Sequence, residues 1–277
     1  MPVSQLLCEG ASNSPDVRVL LKLLSGRCGE IKPMSGKYGM GVRIIARREN
    51  LGENNVYGIL DGDFKSEWRL PENIVAEWEN DGIHFGWRWE RKEIENYLID
   101  PVVVERALGD MAPNMETYKT ELESARDRIA IYQAARTALS ANRSRFYPLP
   151  SSFGSERGRE NHPFPDAFDE DSCRNSMFQT LAAYQQIQCI SREQLAVSFD
   201  AYLMECRQSG CRYQHYLHAF AGKDLFWAMD SWLRANNFIG ANAFREKILC
   251  GISKTAEDIA PWLQEWENLR DTISRIL

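Results

Sequence analysis

No apolar run in this chain reaches the roughly 20 residues a helix needs to cross a bilayer, although 44% of its 277 residues are hydrophobic. No membrane association is expected. The opening Met1-Pro2-Val3-Ser4 lacks the basic residues and long apolar core of a secretory signal, so the expected location is cytoplasmic. Cations are also short: 33 Lys and Arg face 39 Asp and Glu, for a formal net charge of −6. That balance argues against a protein that grips long nucleic acid by bulk positive charge, although a few placed cations can still hold a phosphate backbone. Histidine is scarce, with four residues, and the seven cysteines are scattered, an odd number that suits free thiols. Cys206 and Cys211, with His215 and His218 just beyond, lack a second ligand pair at zinc spacing, so incidental placement on a helix is the better reading. Gly36-Lys37-Tyr38-Gly39-Met40-Gly41 has neither Walker spacing nor the closing Lys-Ser/Thr pair, and no ATPase activity is expected.

What the chain does have is carboxylates at the ends of apolar runs. Leu6-Leu7-Cys8 leads into Glu9-Gly10, and Tyr57-Gly58-Ile59-Leu60 leads into Asp61-Gly62-Asp63. A short apolar run closed by an acid reads as a buried parallel strand reaching the C-terminal edge of a sheet, where open α/β sheets bind ligands. If the two strands are neighbours, Glu9, Asp61 and Asp63 converge. Like charges so placed repel unless a cation neutralises them, and the natural cation for oxygen ligands is Mg²⁺ or Mn²⁺. In an extended segment Asp61 and Asp63 point the same way, with Gly62 allowing a sharp turn. Bland readings stand beside these: Glu9 as a solvent-facing turn residue, and Asp61-Gly62 as an ordinary hairpin turn.

The first hundred residues alternate between strand and helix patterns. Val3 to Cys8 and Val56 to Leu60 read as strands, and Ile83 to Trp89 as another. A strand around Ile31 is less secure because Pro33 cannot donate to a ladder. Ser14-Pro15 marks a helix start that continues through Leu24. A helix follows from Val42 to Glu49. From about residue 101 the chain turns helical, with a long segment over 115–146 and further helical patterns to the C-terminus. Residues 148–172, rich in Pro, Ser, Gly and Asp, read as a mobile loop. The implied division is a catalytic region over 1–110 and an α-helical region over 111–277 for assembly or partner binding. Trp262, Trp266, Leu269 and Ile273 share one helix face and are expected in the core or against a partner.

Glu9-Gly10 with Asp61-Gly62-Asp63 resembles the TOPRIM domain of topoisomerases, primases and OLD-family nucleases. Glu93-Ile94-Glu95-Asn96-Tyr97-Leu98 sharpens the resemblance toward the TOPRIM nuclease subunit of PARIS-type anti-phage systems, which pair a nuclease with an ABC-type ATPase. These motifs span residues 3 to about 100; beyond them only Gly222-Lys223-Asp224 is similar. The resemblance implies an α/β, Rossmann-like, mostly parallel sheet with an α-helical C-terminal extension. It implies a Mg²⁺- or Mn²⁺-dependent endonuclease, an antiviral toxin effector cleaving host RNA such as tRNA once its ATPase partner releases it, active as a homodimer. Glu9, Asp61 and Asp63 would hold the metal and act in catalysis. One of Glu90, Glu93 and Glu95 would join them, with Glu95 favoured. Asn96 and Tyr97 read as structural. For substrate phosphate, Lys65 is the first choice for its nearness to Asp63, followed by Lys92 and Lys223; Lys37, Arg43, Arg88 and Arg91 are further candidates. Each of these cations, taken alone, reads as a solvated surface residue. The alternatives are a catalytically silent TOPRIM interaction subunit, a DNA nuclease of the OLD type, and a primase-like nucleotidyl transferase.

Overall fold

The computed structural model describes residues 3–34, 39–142, 169–188 and 191–276. Five strands form one sheet in the order β2-β1-β3-β5-β4. They are β1 (Val3–Glu9), β2 (Cys28–Met34), β3 (Val56–Leu60), β4 (Ala76–Asn80) and β5 (Ile83–Arg88). The first, second, third and fifth run parallel, and β4 pairs antiparallel with β5. The expected α/β class with a mostly parallel sheet is what the chain adopts. Pro33 does not break β2, because that strand lies at the sheet's edge, where a missing donor is tolerated. The hairpin joining β4 to β5 escaped the sequence reading. Its turn is Asp81-Gly82 with φ of 51° and 74°, the two positive values that a tight hairpin turn requires.

Helices cover both faces, as a sheet with two apolar faces demands. One face buries Leu7, Val56, Leu60 and Phe85 under Met40 and Ile44 of α2 (Met40–Leu51). The other buries Leu6, Cys8, Ile59 and Trp87 against α1 (Pro15–Leu23) and the helices that follow the sheet. Ser14 caps α1 by accepting from the Val17 N–H, and Pro15 opens the helix, as the sequence predicts. After the sheet come α3 (Glu95–Leu98), α4 (Pro101–Leu108), α5 (Met115–Ala141), α6 (Glu170–Gln188), α7 (Arg192–Cys206), α8 (Cys211–Gln214), α9 (Tyr216–Ala219), α10 (Gly222–Ala228), α11 (Asp230–Ala235), α12 (Ala241–Lys254) and α13 (Gln264–Arg275). Among the described residues, no helix is long and apolar enough to cross a membrane. The loop expected over 148–172 lies outside the described residues up to 168; residues 170–172 already belong to α6.

The apolar core does not stop at residue 110. One cluster of buried side chains runs from Val3 through Tyr118 and Phe244 to Ile273. Trp266, Leu269 and Ile273 are fully buried on one face of α13, as predicted; Trp262, nearly buried, lies outside that helix in a short 3-10 turn, because the extended Leu263 breaks the helical path. Across the boundary, Arg18 of α1 pairs with Glu246 of α12 at 2.6 Å.

Two buried polar groups tie the sheet's last strand to the helical region. The Asn96 side chain is fully buried. Its amide donates to the Leu217 and Phe220 carbonyls at 3.0 and 2.7 Å, and its oxygen accepts from the Glu93 and Gly222 N–H groups at 3.2 and 3.1 Å. A Cβ on Gly222 would fall 2.4 Å from the Asn96 nitrogen, so only glycine lets α10 approach α3 this closely. Asn96→Ala leaves several buried groups without partners and is expected to cost about 3–5 kcal/mol, measurable by urea denaturation.

Glu265, 2% exposed, is the second tie. It accepts from the Glu90 N–H at 2.6 Å and the Tyr97 hydroxyl at 2.7 Å. Burial nevertheless pushes its carboxyl up to about 7 from the ordinary 4.5. The folded chain thus holds this proton more tightly than the unfolded chain does. Stability falls as pH rises from 4.5 through about 7 and is level above, by on the order of 3 kcal/mol from this group alone. Thermal melts of Glu265→Gln across that range are expected to show a flatter pH dependence than wild type.

Candidate functional site

The C-terminal edge of the sheet is where the motif carboxylates gather. Cys8 of β1 pairs with Ile59 of β3, so Glu9 and Asp61 end adjacent parallel strands. After Glu9 the chain turns at Gly10 (φ 104°) onto the N-terminus of α1. That turn brings in Asp16, a residue for which the sequence offered only a helix-start signal. From the far side of β3, the segment after β5 supplies Glu93, and α3 opens with Glu95.

The electrostatics bear the mark of this crowding. The Asp61 carboxyl is raised well above the usual carboxylate range, first by burial and then by Asp16, Glu9 and Glu93, against which Lys223 acts. Asp16 is pushed up to about 7 by burial and Glu95. Glu95, 2% exposed, is raised by burial and held down by Lys223. Asp61 Oδ1 and Glu95 Oε2 are buried without a hydrogen-bond partner, although the latter lies 3.3 Å from the Lys223 ammonium.

The counter-charges come from the helical region. Lys223, at the start of α10, donates its backbone N–H to Glu93 Oε1 at 2.7 Å, and its ammonium lies 3.2 Å from Glu93 Oε2. The two glutamates raise its pKa. Arg245 of α12 reaches Glu95 Oε1 at 3.3 Å. Sequence reasoning had no signal for Arg245, which lies in an unremarkable amphipathic helix.

Several expectations need correction. Asp61 and Asp63 do not point the same way, because Asp63 takes a left-handed conformation (φ 54°) that ends the extended path. Asp63 is exposed, and its N–H donates to the Lys92 carbonyl at 2.9 Å. Gly62 serves close packing rather than a sharp turn: a Cβ there would sit 2.4 Å from the Arg91 carbonyl oxygen. Of the three glutamates left open, Glu93 and Glu95 both reach the cluster. Glu90 instead accepts from the Glu72 and Asn73 N–H groups and anchors the segment before β4.

Of the three lysines only Lys92 is buried; Lys65 and Lys223 are exposed but bonded within the protein. Lys92 is 4% exposed, its ammonium lies over the Phe64 ring, and burial brings it down to about 6, so at neutral pH it is a poor phosphate contact. Lys223 is committed to carboxylates rather than presented to substrate. Lys65 donates to the Glu90 carbonyl at 2.9 Å, is lowered by burial, and lines a cavity of about 1550 Å³ together with Asp61, Asp63 and Glu93. Asn96 and Tyr97 are structural, as expected.

No protein-family model matches this chain, and no curated protein matches it. The site therefore has to be judged on its own chemistry. Among the described residues, no group of three or more His, Cys, Asp or Glu is placed to hold a metal ion. Mg²⁺, however, is usually held by one or two carboxylates with water and phosphate completing its shell. The hard oxygen donors, the partnerless Asp61 Oδ1 and the mutual repulsion of the carboxylates fit such an ion. Lys223→Met leaves Glu93 and Glu95 under-compensated. Because Lys223 is half exposed, the expected loss is modest, ~1–2 kcal/mol. Calorimetry with added Mg²⁺ is expected to recover part of it.

Proposed function

We propose that this chain is a metal-dependent endonuclease of TOPRIM type. The observation that supports it most is the half-buried Asp61 at a parallel-sheet edge, whose Oδ1 is buried without a partner and whose carboxyl is raised first by burial and then by Asp16, Glu9 and Glu93. Uncompensated carboxylates are costly to bury and recur where a cation and its chemistry are required. Glu9 and Asp61 would hold Mg²⁺ or Mn²⁺ with water and phosphate completing the shell, Glu95 standing behind them and Asp63 at the cavity wall. When bound, the ion offsets charge on a phosphodiester and lowers the pKa of water so that hydroxide is available near neutral pH. The chain's own residues do the rest. Lys223 and Arg245 keep Glu93 and Glu95 in place, and Lys65 puts a cation on the wall beside Asp63.

The motif resemblance extends the proposal to an anti-phage effector. On this reading the chain works in the cytoplasm, is held by an ABC-type ATPase until infection, and then cleaves host RNA, tRNA foremost, as a homodimer. A second reading, a catalytically silent interaction subunit, has one observation in its favour: Lys223 already pairs with Glu93 and Glu95, and Arg245 with Glu95.

Purified protein incubated with total RNA and plasmid DNA, with Mg²⁺ or with EDTA, separates the readings. The nuclease reading expects Mg²⁺-dependent cleavage. It also expects Glu9→Gln and Asp61→Asn to fold normally and lose at least on the order of 100-fold in rate, since even outer-shell changes at metal sites cost up to that much. Absence of cleavage, with no Mn²⁺-linked stabilisation that depends on Glu9, would leave the silent reading.

A further inference from the structure

The cavity beside the carboxylates has a second wall that the proposed chemistry does not use. Its near side is the chain from Asp61 to Ala76; its far side comes from Arg136 of α5, Arg212 of α8 and His218 of α9. Three cations on this lining are already occupied. Lys65 is bonded to the Glu90 carbonyl, Arg136 to Asp224, and Arg212 to Glu205 and the Lys65 and Ser66 carbonyls. Arg69 and Arg88 differ. Among the described residues, neither guanidinium makes a hydrogen bond or an ion pair, yet both line the cavity.

Arg88 is the more telling of the two. It closes β5 and pairs in register with Leu60, the residue before Asp61, so it sits one strand across from the acidic cluster. It is partly buried, and its charge acts on Lys65. A half-buried guanidinium near the Lys65 ammonium, without an acid of its own, lacks the pairing that charges at such depth normally have. Its planar fork matches the geometry of a phosphate.

The dimensions narrow the ligand. At about 1550 Å³ the cavity exceeds the ~300–1,000 Å³ of a small-molecule pocket. A sphere of that volume is about 14 Å across, little more than the ~12 Å width of a single major groove, so a whole duplex does not sit inside it. An unpaired strand of a few nucleotides does. Trp68, on the same lining and partly exposed, already packs against His215 and under the Arg212 guanidinium, so the grip on a strand falls to the cations rather than to stacking.

We propose that this cavity seats an unpaired polynucleotide strand, with Arg88 and Arg69 gripping backbone phosphates next to the one presented to the carboxylates. The inference rests on the nuclease reading and adds its substrate form and two positioning residues.

The test is binding of short fluorescent oligonucleotides to the full chain in EDTA, where no turnover occurs, over a series of KCl concentrations. Unpaired RNA or DNA is expected to bind at least ten-fold tighter than a duplex of equal length. The log–log salt slope is expected to shrink by roughly 0.7 in Arg88→Ala and by about twice that with Arg69→Ala added. Arg88→Lys is expected to restore the slope. A matching melting temperature in each variant keeps loss of folding out of the result. Binding with an unchanged slope in the double variant overturns the proposal and leaves the nuclease reading standing. So does equal affinity for duplex, or displacement of a poly-glutamate peptide but not of nucleic acid by the substitutions. Failure of the wild-type chain to bind or cleave any polynucleotide overturns both.

Discussion

The contact between α10 and α3 is the constraint on which the rest of the structure depends. Asn96 spends its whole side chain joining the segment after β5 to the turn before α10, and Gly222 lets the two backbones nearly touch. The residue after that glycine is Lys223, whose position is thereby set against Glu93 and Glu95. A cation that enters the cluster from more than a hundred residues away in sequence is held there by backbone proximity, not by reach. The helical region is thus part of the site's electrostatics, and the core that crosses residue 110 keeps the two parts from moving independently.

Much of the sheet was legible from the sequence because it obeys local rules. The runs ending at Glu9 and Leu60 are short, apolar and closed by acids, and Ser14-Pro15 is an unambiguous helix start. The hairpin into β5 was legible in principle, since Asp81-Gly82 is a strong turn signal; it was missed because Ala76-Glu77-Trp78-Glu79-Asn80 has too few apolar residues to read as a strand. The convergence of Glu9 with Asp61 followed from strand adjacency. Asp16, Arg245 and Glu265 had no such signal, because their roles depend on how helices stack far along the chain. Lys92 looked solvated because it stands among charges, whereas the fold turns it onto Phe64.

The site is stressed as it stands. Asp61, Asp16 and Glu95 all have their charged forms disfavoured, and Glu265, just behind Tyr97, adds a fourth carboxyl in the same condition. A sequence optimised for stability alone would not concentrate acids in this way. The large apolar core, with Trp87, Trp89, Trp266 and Tyr97 fully buried around it, is what lets the fold carry that load.

The two edges of the sheet also shape what the molecule can join. On one side β2 carries Pro33, which has no N–H to offer, and on the other β4 sets Glu77 and Glu79 outward on a short strand. Neither border invites another chain to continue the ladder. Growth of the sheet into a filament or a strand-exchanged pair is thereby discouraged, and recognition by any second polypeptide falls to helical surfaces, whose side chains can discriminate among partners in a way that bare backbone cannot.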